Sequence, residues 1–434
     1  MDKMADVLGR AGAWCGQNKY LSAIKNAFQN FMPLTIAGAI GVLWCNVLVN
    51  ESTGLGIFFK PIMALEFLNP AFQAVNFCTI SCITVGITLG IAQEIGIWNM
   101  GAEKAGYIPG LVGLAAWLSV TNTSHMVEGA KEAFTGIAGN ELGATGLFTG
   151  MIIGILSVEL FCFFEKQDAL KIKMPEQVPP GVARAFEVLV PATITLIITA
   201  CIGSACYNLT GLYLNDVIKN GIQGPLGAVG ATIPGVMIIY LVIMLFWLVG
   251  IHGNNMLSAV KEALFTPLAL ENVEAFNKGE TPKNIINMYA LQMWGEFGGS
   301  GVTIGLVIAI MIFGKREDNK AIATLSLVPG LFNINETVTF GIPMVLNPIL
   351  GIPFVFACLV TILVGYVLTV IGFCPVACLT VPWTTPPIVF GFLATGANIM
   401  GAVTQAILIV VSTVIYVPFL IAYEKYQNKQ AAEA

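Results

Sequence analysis

Charge is what this sequence has least of. Asp, Glu, Lys and Arg make up 10% of its 434 residues, against about 25% in soluble proteins. With 56% of the chain in apolar types and a mean hydropathy of +0.81, water is the wrong solvent for it. The 20 Lys and Arg are too few to form a basic face, which excludes nucleic-acid binding. Histidine occurs only as His125 and His252, and no Cys-x-x-Cys pair exists, so no metal or haem site and no other cofactor is expected. Cysteines such as Cys162, Cys358 and Cys378 lie inside apolar runs and read as small buried hydrophobes. No signal-peptide core opens the chain, because Lys3, Arg10, Lys19 and Lys25 interrupt it. The class that remains is an all-α integral membrane protein.

The charges that are present organise the chain. Val7, Leu8, Ala11, Trp14, Cys15, Leu21, Ile24 and Phe28 recur at helical spacing among basic residues, which suits an amphipathic helix on the inner membrane face. Charge-free runs then mark candidate spans at Asn26–Asn50, Phe67–Gln93, Ala105–Val127, Leu142–Val158 and Val188–Asn215. Basic residues before the first run and at Lys166, Lys171, Lys173 and Arg184 place both segments on the cytoplasmic side. Pro175, Pro179 and Pro180 mark the second of these as a linker.

The second half is less regular. Asn220–Val260 carries no charge and is too long for one span, which predicts a helix plus a half-membrane segment. Phe297–Gly314 is a further candidate span, followed by the charged cluster Lys315 to Lys320. From Ala321 to Tyr423 the sole charged residue is Glu336, and the stretch is interrupted by Pro329, Pro343, Pro348, Pro353, Pro375, Pro382, Pro386 and Pro387. Broken backbone at membrane depth persists where it is packed in protein or lines a wet cavity, so the interruptions point to a substrate path.

Glu336 is the strongest single signal. A carboxylate at the bilayer centre costs about 2.5 to 3.5 kcal/mol on insertion scales, so it should face a polar cavity with partners such as Asn333 and Asn335. A capping role that closes a packing defect is the bland alternative. His252, in Trp247-Leu-Val-Gly-Ile-His-Gly253 and beside Asn254 and Asn255, reads as a ligand contact more than as a satisfied core residue. His125 follows Thr121-Asn-Thr-Ser in a loop and reads as structural. Trp383, in Val381-Pro-Trp-Thr-Thr-Pro-Pro387, fits an interfacial anchor and a flat face for a sugar ring equally well, with Thr384 and Thr385 supplying hydroxyls. Gly298-Gly-Ser-Gly-Val-Thr303 lacks the Gly-Lys-Ser/Thr of a P-loop and reads as a tight helix start that lets backbone approach a ligand or another helix. No carboxylate pair or nucleophile arrangement offers catalysis.

These stretches, together with Met32-Pro-Leu-Thr-Ile-Ala-Gly38, Lys173-Met-Pro-Glu-Gln-Val-Pro-Pro-Gly181 and Gly341-Ile-Pro-Met-Val-Leu-Asn-Pro348, resemble the membrane permease component, IIC, of bacterial sugar phosphotransferase systems in the lactose, cellobiose and N,N′-diacetylchitobiose branch. One departure is Thr337, where that family usually has proline after the glutamate. The resemblance implies about ten transmembrane helices plus re-entrant hairpins and surface helices. It further implies a homodimer in the bacterial inner membrane with both termini cytoplasmic. Residues 1–27 would form the amphipathic segment, 28–164 and 188–215 the N-terminal dimerisation half, 165–187 the cytoplasmic linker, 220–423 the sugar-transport half and 424–434 the tail. A β-linked disaccharide would be held by Glu336 and His252 near its 6-hydroxyl, by Trp383 against a ring, and by Asn333, Asn335, Asn254, Thr384, Ser300 and Trp247. Glu336 could also orient or deprotonate that hydroxyl. The phosphoryl group would come from a cysteine of a IIB subunit. IIA and IIB are expected as separate chains, and no phosphorylated residue is expected here. An ion-coupled disaccharide symporter and a membrane scaffold or sensor are the competing readings.

Overall fold

Helix is the answer a charge-poor chain gives in lipid, because every backbone N–H and C=O must find a partner without water. The computed structural model describes all residues except 1–9, 11–12, 15–16, 52–55, 57–58, 126–133, 176, 226–229, 343 and 434. Val7, Leu8, Ala11 and Cys15 of the expected amphipathic segment therefore lie outside the described residues. Among the described residues, strand is confined to Ser124–His125 paired antiparallel with Phe134–Thr135. Among the described residues, five helices are also long and apolar enough to cross a membrane: Lys19–Leu48, Ala144–Glu165, Pro180–Thr210, Gly351–Val370 and Ile399–Glu433. Counting two bent pairs as one span each brings the number to seven. The chain is thus a multi-pass membrane protein.

Two compact units divide the chain. One comprises Gln17–Gly38 and Val75–Ala228, and the other Met1–Gly16, Ala39–Ala74 and Val229–Ala434. The helix α1 (Lys19–Leu43) shares its residues between them. The first unit is built mainly from α2 (Ile83–Met100), α3 (Ile108–Val120), α4 (Ala144–Glu165) and α5 (Pro180–Thr210). Ile83, Ile87, Ile91 and Ile95 recur every fourth residue along α2 and are fully buried. That spacing forms one face of a helix. Some of the polar side chains that enter this core are matched, since Thr84 donates to Gly143 O at 2.7 Å and Thr149 donates to Asn215 Oδ1 at 2.6 Å, whereas Thr88 Oγ1 and Ser157 Oγ are buried with no hydrogen-bond partner. Glycines allow close helix approach, since a Cβ on Gly113 would lie 2.3 Å from that of Ala92.

Several boundaries differ from the sequence reading. Nothing between Lys25 and Phe28 breaks a helix, so α1 runs through the division set at residue 27. The linker loses its last residues to α5, which starts on Pro180, a position where proline's missing N–H costs nothing. The run Ala105–Val127 yields a helix of only 13 residues, about 20 Å long, because the chain turns extended at Thr121. The last helix continues to Glu433, through the residues read as a tail.

The second unit carries α6 (Ile233–Leu248), the short α7 (Gly253–Met256), α8 (Ser258–Asn277), α9 (Met288–Gly295), α10 (Ile304–Phe313) and α11 (Glu317–Leu331). These are followed by α12 (Glu336–Gly341), α13 (Gly351–Val370), α14 (Val389–Ala394) and α15 (Ile399–Glu433). The sequence expectation of broken elements is met here: the segment Met288–Val302 bends by 59° into α10. Five non-glycine residues among those described have positive φ, namely Val302, Asn333, Leu346, Ile388 and Ala397. All five are in this unit, and three of them, Val302, Asn333 and Ile388, stand at the loops that converge on Glu336.

Candidate functional site

The glycine turn before α10 is the platform. Gly298, Gly299 and Gly301 have φ of +68°, +86° and +76°, a region closed to most side chains. A Cβ at Gly299 would come within 2.6 Å of the Asn335 side chain, and one at Gly301 within 2.4 Å of the Phe354 ring. The turn is therefore shaped to receive the Glu336 loop and α13. Asn335 Nδ2 donates to Ser300 O at 2.8 Å, and Gly298 N–H donates to Asn333 Oδ1 at 2.6 Å.

Asn333 reaches further. Its Nδ2 donates to the carbonyls of Trp383 (2.5 Å) and Thr385 (3.1 Å). One amide thus joins the glycine turn, the glutamate loop and the Pro-Trp loop. The Pro-Trp loop is itself a tight turn closed by Thr385 N–H on Pro382 O at 2.9 Å, with Trp383 and Thr384 at its centre. Its far end is held by Gln405, whose Oε1 accepts from Ile388 N–H (2.8 Å) and Gly391 N–H (2.7 Å) while Nε2 donates to Met293 O (3.2 Å).

Glu336 opens α12, and its Oε1 lies 3.9 Å from His252 Nε2. The other ring nitrogen, Nδ1, accepts from Asn255 N–H at 3.3 Å and caps α7. An accepting Nδ1 fixes the neutral tautomer with its proton on Nε2, the nitrogen that faces the carboxylate. A separation of 3.9 Å is long for a direct hydrogen bond. Two groups that each hold one shared hydroxyl at about 2.8 Å stand roughly 4 to 5 Å apart. The pair stands just short of that range, with a donor on the imidazole facing an acceptor on the carboxylate. Trp247 lies beneath His252 with ring centroids 4.5 Å apart, and Phe354 backs the indole at 6.5 Å.

Exposure sorts the predicted residues. The side chains of Glu336 (48%) and His252 (39%) and the residue Trp383 (45%) are open. Trp247, Asn335 and Ser300 are buried at 2%, 4% and 4%. The first three are open to a ligand, while Asn335 and Ser300 join their loops and Trp247 packs against the His252 ring. Asn254 is half-buried, donating to Ser300 Oγ at 2.8 Å and accepting from Lys261 at 3.3 Å. Thr384 is half-buried beside Trp383. Thr337 stands in the first turn of α12, where an amide N–H has no helical acceptor. The residue type there changes no ladder bond. His125 rests on Asn122 O at 3.2 Å in the β-hairpin of the first unit.

Three residues with no place in the sequence reading join this site. Lys261 forms an ion pair with Glu296, both poorly exposed, and Tyr240 donates to Glu296 Oε1 at 2.7 Å. Lys261 ends one charge-free run and Glu296 precedes the next, positions that look like membrane borders in one dimension. Their signal was that each borders a run too irregular to be a simple span.

Comparison with known proteins shows the family. The profile of the family described as "Phosphotransferase system, EIIC" matches residues 25–358. The oligo-beta-mannoside-specific EIIC component of Bacillus subtilis (strain 168) is 34% identical, over 98% of this chain and 94% of its own length. The cellobiose-specific EIIC component of Lactococcus lactis subsp. lactis (strain IL1403) is 29% identical over 98% of both chains. The crystal structure of ChbC, the IIC component of the N,N′-diacetylchitobiose-specific phosphotransferase system, superposes with a TM-score of 0.88 at 30% identity, covering 97% of each chain. The chain belongs to the EIIC family, the membrane permease components of phosphotransferase systems.

Proposed function

We propose that this permease binds a neutral β-linked disaccharide of the cellobiose or N,N′-diacetylchitobiose type and presents its 6-hydroxyl for phosphorylation by a separate IIB subunit. The spacing of Glu336 and His252, set to share one hydroxyl, carries this reading. The names of its relatives, cellobiose-specific and N,N′-diacetylchitobiose-specific among them, support the sugar class. In the transfer step the S–P bond of a IIB cysteinyl phosphate breaks and an O6–P bond forms. The hydroxyl proton leaves toward Glu336, which stands where a general base is needed. Trp383 offers an open face to a sugar ring. The phosphorylated product brings negative charge to the carboxylate, so its release is favoured and its rebinding disfavoured.

The same reading assigns the sugar to the unit that contains residues 229–434 and a dimer contact to the helices of the N-terminal half. It places the chain in the bacterial inner membrane with both termini cytoplasmic, served by IIA and IIB chains. The test is calorimetric titration of the detergent-solubilised protein with cellobiose, N,N′-diacetylchitobiose, lactose and gentiobiose. At least one β-linked disaccharide is expected to bind, and Glu336→Gln is expected to abolish or strongly weaken that binding. Equal binding by Glu336→Gln would sink the assignment of the hydroxyl to this pair.

A further inference from the structure

A buried lysine in an apolar helix bundle needs a reason, and Lys261 has more than its ion pair to explain. Its side chain is 7% exposed and is paired with Glu296, which also receives the Tyr240 hydroxyl. A third bond runs from Lys261 Nζ to Asn254 Oδ1 at 3.3 Å. An ammonium group only donates, so the end of the Asn254 amide that faces it must be the oxygen. The NH2 end is thereby turned to Ser300 Oγ, to which it donates at 2.8 Å. Ser300 O in turn accepts from Asn335 Nδ2 at 2.8 Å, and Asn335 is the N-cap residue next to Glu336. The bonds form one continuous path: Glu296, Lys261, Asn254, Ser300, Asn335 and the start of α12.

We propose that Lys261 is a positioning residue for the Glu336 site, acting by fixing the orientation of the Asn254 amide and, through Ser300 and Asn335, the loop that carries the carboxylate. Glu296 keeps the lysine charge compensated and aimed. Without that cation the Asn254 amide is free to turn, Ser300 Oγ loses a defined donor, and the glycine turn no longer holds Asn335 in one place. The consequence for the sugar rests on the disaccharide reading above, whereas the consequence for the loop does not.

The two are separable by experiment on the full-length protein. Lys261→Met alone strands Glu296 and risks misfolding, so the working variant is Lys261→Met/Glu296→Leu, which removes both charges together. Amide hydrogen exchange without sugar reads the loop. Residues 298–303 and 333–341 are expected to exchange about tenfold faster in the double variant, while Ala144–Glu165 stays at the wild-type rate. Titration with whichever of cellobiose or N,N′-diacetylchitobiose binds the wild type reads the site. About tenfold or greater loss is expected in the double variant, with Lys261→Arg within about threefold of wild type. Adding Asn254→Leu to the double variant should cost little more, because residues on one path are not additive. Wild-type exchange at 298–303 and 333–341 in a folded double variant overturns the proposal. So does wild-type affinity there, or full additivity with Asn254→Leu. A wild-type protein that binds no β-linked disaccharide overturns the sugar reading instead, and the exchange rates then decide the role of Lys261.

Discussion

His252 turns Nδ1 to the Asn255 amide and Nε2 to Glu336, 3.9 Å away. A protonated Nε2 opposite an acceptor gives the pair complementary ends for one hydroxyl. A hydrogen bond to a charged group contributes roughly 1.5 to 3 kcal/mol. Glu336→Gln should therefore weaken sugar binding by roughly 10- to 150-fold, with little change in thermal stability because the side chain is open. Titration calorimetry and a melting curve on the same preparation separate the two effects. A stability loss without an affinity loss would make Glu336 a structural cap.

Asn333 combines a left-handed backbone, φ +63°, with bonds to Gly298, Trp383 and Thr385. Asn333→Gly keeps the backbone and removes the bonds, whereas Asn333→Ala removes the bonds and adds strain. Both variants are expected to lose sugar affinity, and the alanine variant to be less stable than the glycine variant by about 1 kcal/mol. Chemical unfolding of the pair checks the order. A glycine variant that binds like wild type would remove Asn333 from the site's support.

Gln405 is 1% exposed and satisfies Ile388 N–H, Gly391 N–H and Met293 O at once. Gln405→Leu leaves these groups unpaired, at about 1 to 3 kcal/mol for each buried one. The variant should melt several degrees lower and bind sugar more weakly, since the Trp383 loop loses its anchor. Thermal unfolding followed by size-exclusion chromatography is sufficient to see it. An unchanged melting point would show that the loop is held by other contacts.

In the first unit, Gly113→Ala places a methyl 2.3 Å from the Ala92 Cβ, while Gly181 has nothing within 4 Å of an added Cβ. The first substitution should destabilise by about 1 to 3 kcal/mol through overpacking. The second should be neutral or stabilise by up to about 1 kcal/mol, because alanine is the better helix former. Comparing the two melting temperatures tests whether close helix approach, and not glycine content as such, sets stability here.

Much of the site could be read in one dimension because its chemistry stands out against lipid. Glu336 was visible as the lone charge of a long stretch, and His252 as a histidine flanked by glycines and amides. Lys261, Glu296 and Tyr240 were not, because a charge at the end of an apolar run looks the same whether it meets water or folds back into the bundle. Gln405 was hidden for a related reason: one amide in an apolar helix gives no hint that it serves two backbone donors on another element. Helix lengths were overread where composition stayed apolar past a backbone break, as at Thr121. For Trp383, one dimension leaves anchor and platform balanced and gives no sign that Asn333 ties the turn around it.

On the function proposed above, sugar enters as the substrate of a phosphoryl transfer and not by ion coupling. The direct measurement is uptake of radiolabelled cellobiose or N,N′-diacetylchitobiose into proteoliposomes holding the purified permease, with and without IIA, IIB and a phosphoryl donor inside. Sugar is expected to accumulate as the 6-phosphate only when the soluble subunits and donor are present, and Glu336→Gln is expected to slow this greatly. Accumulation of unmodified sugar driven by a proton or sodium gradient, without those subunits, would contradict it.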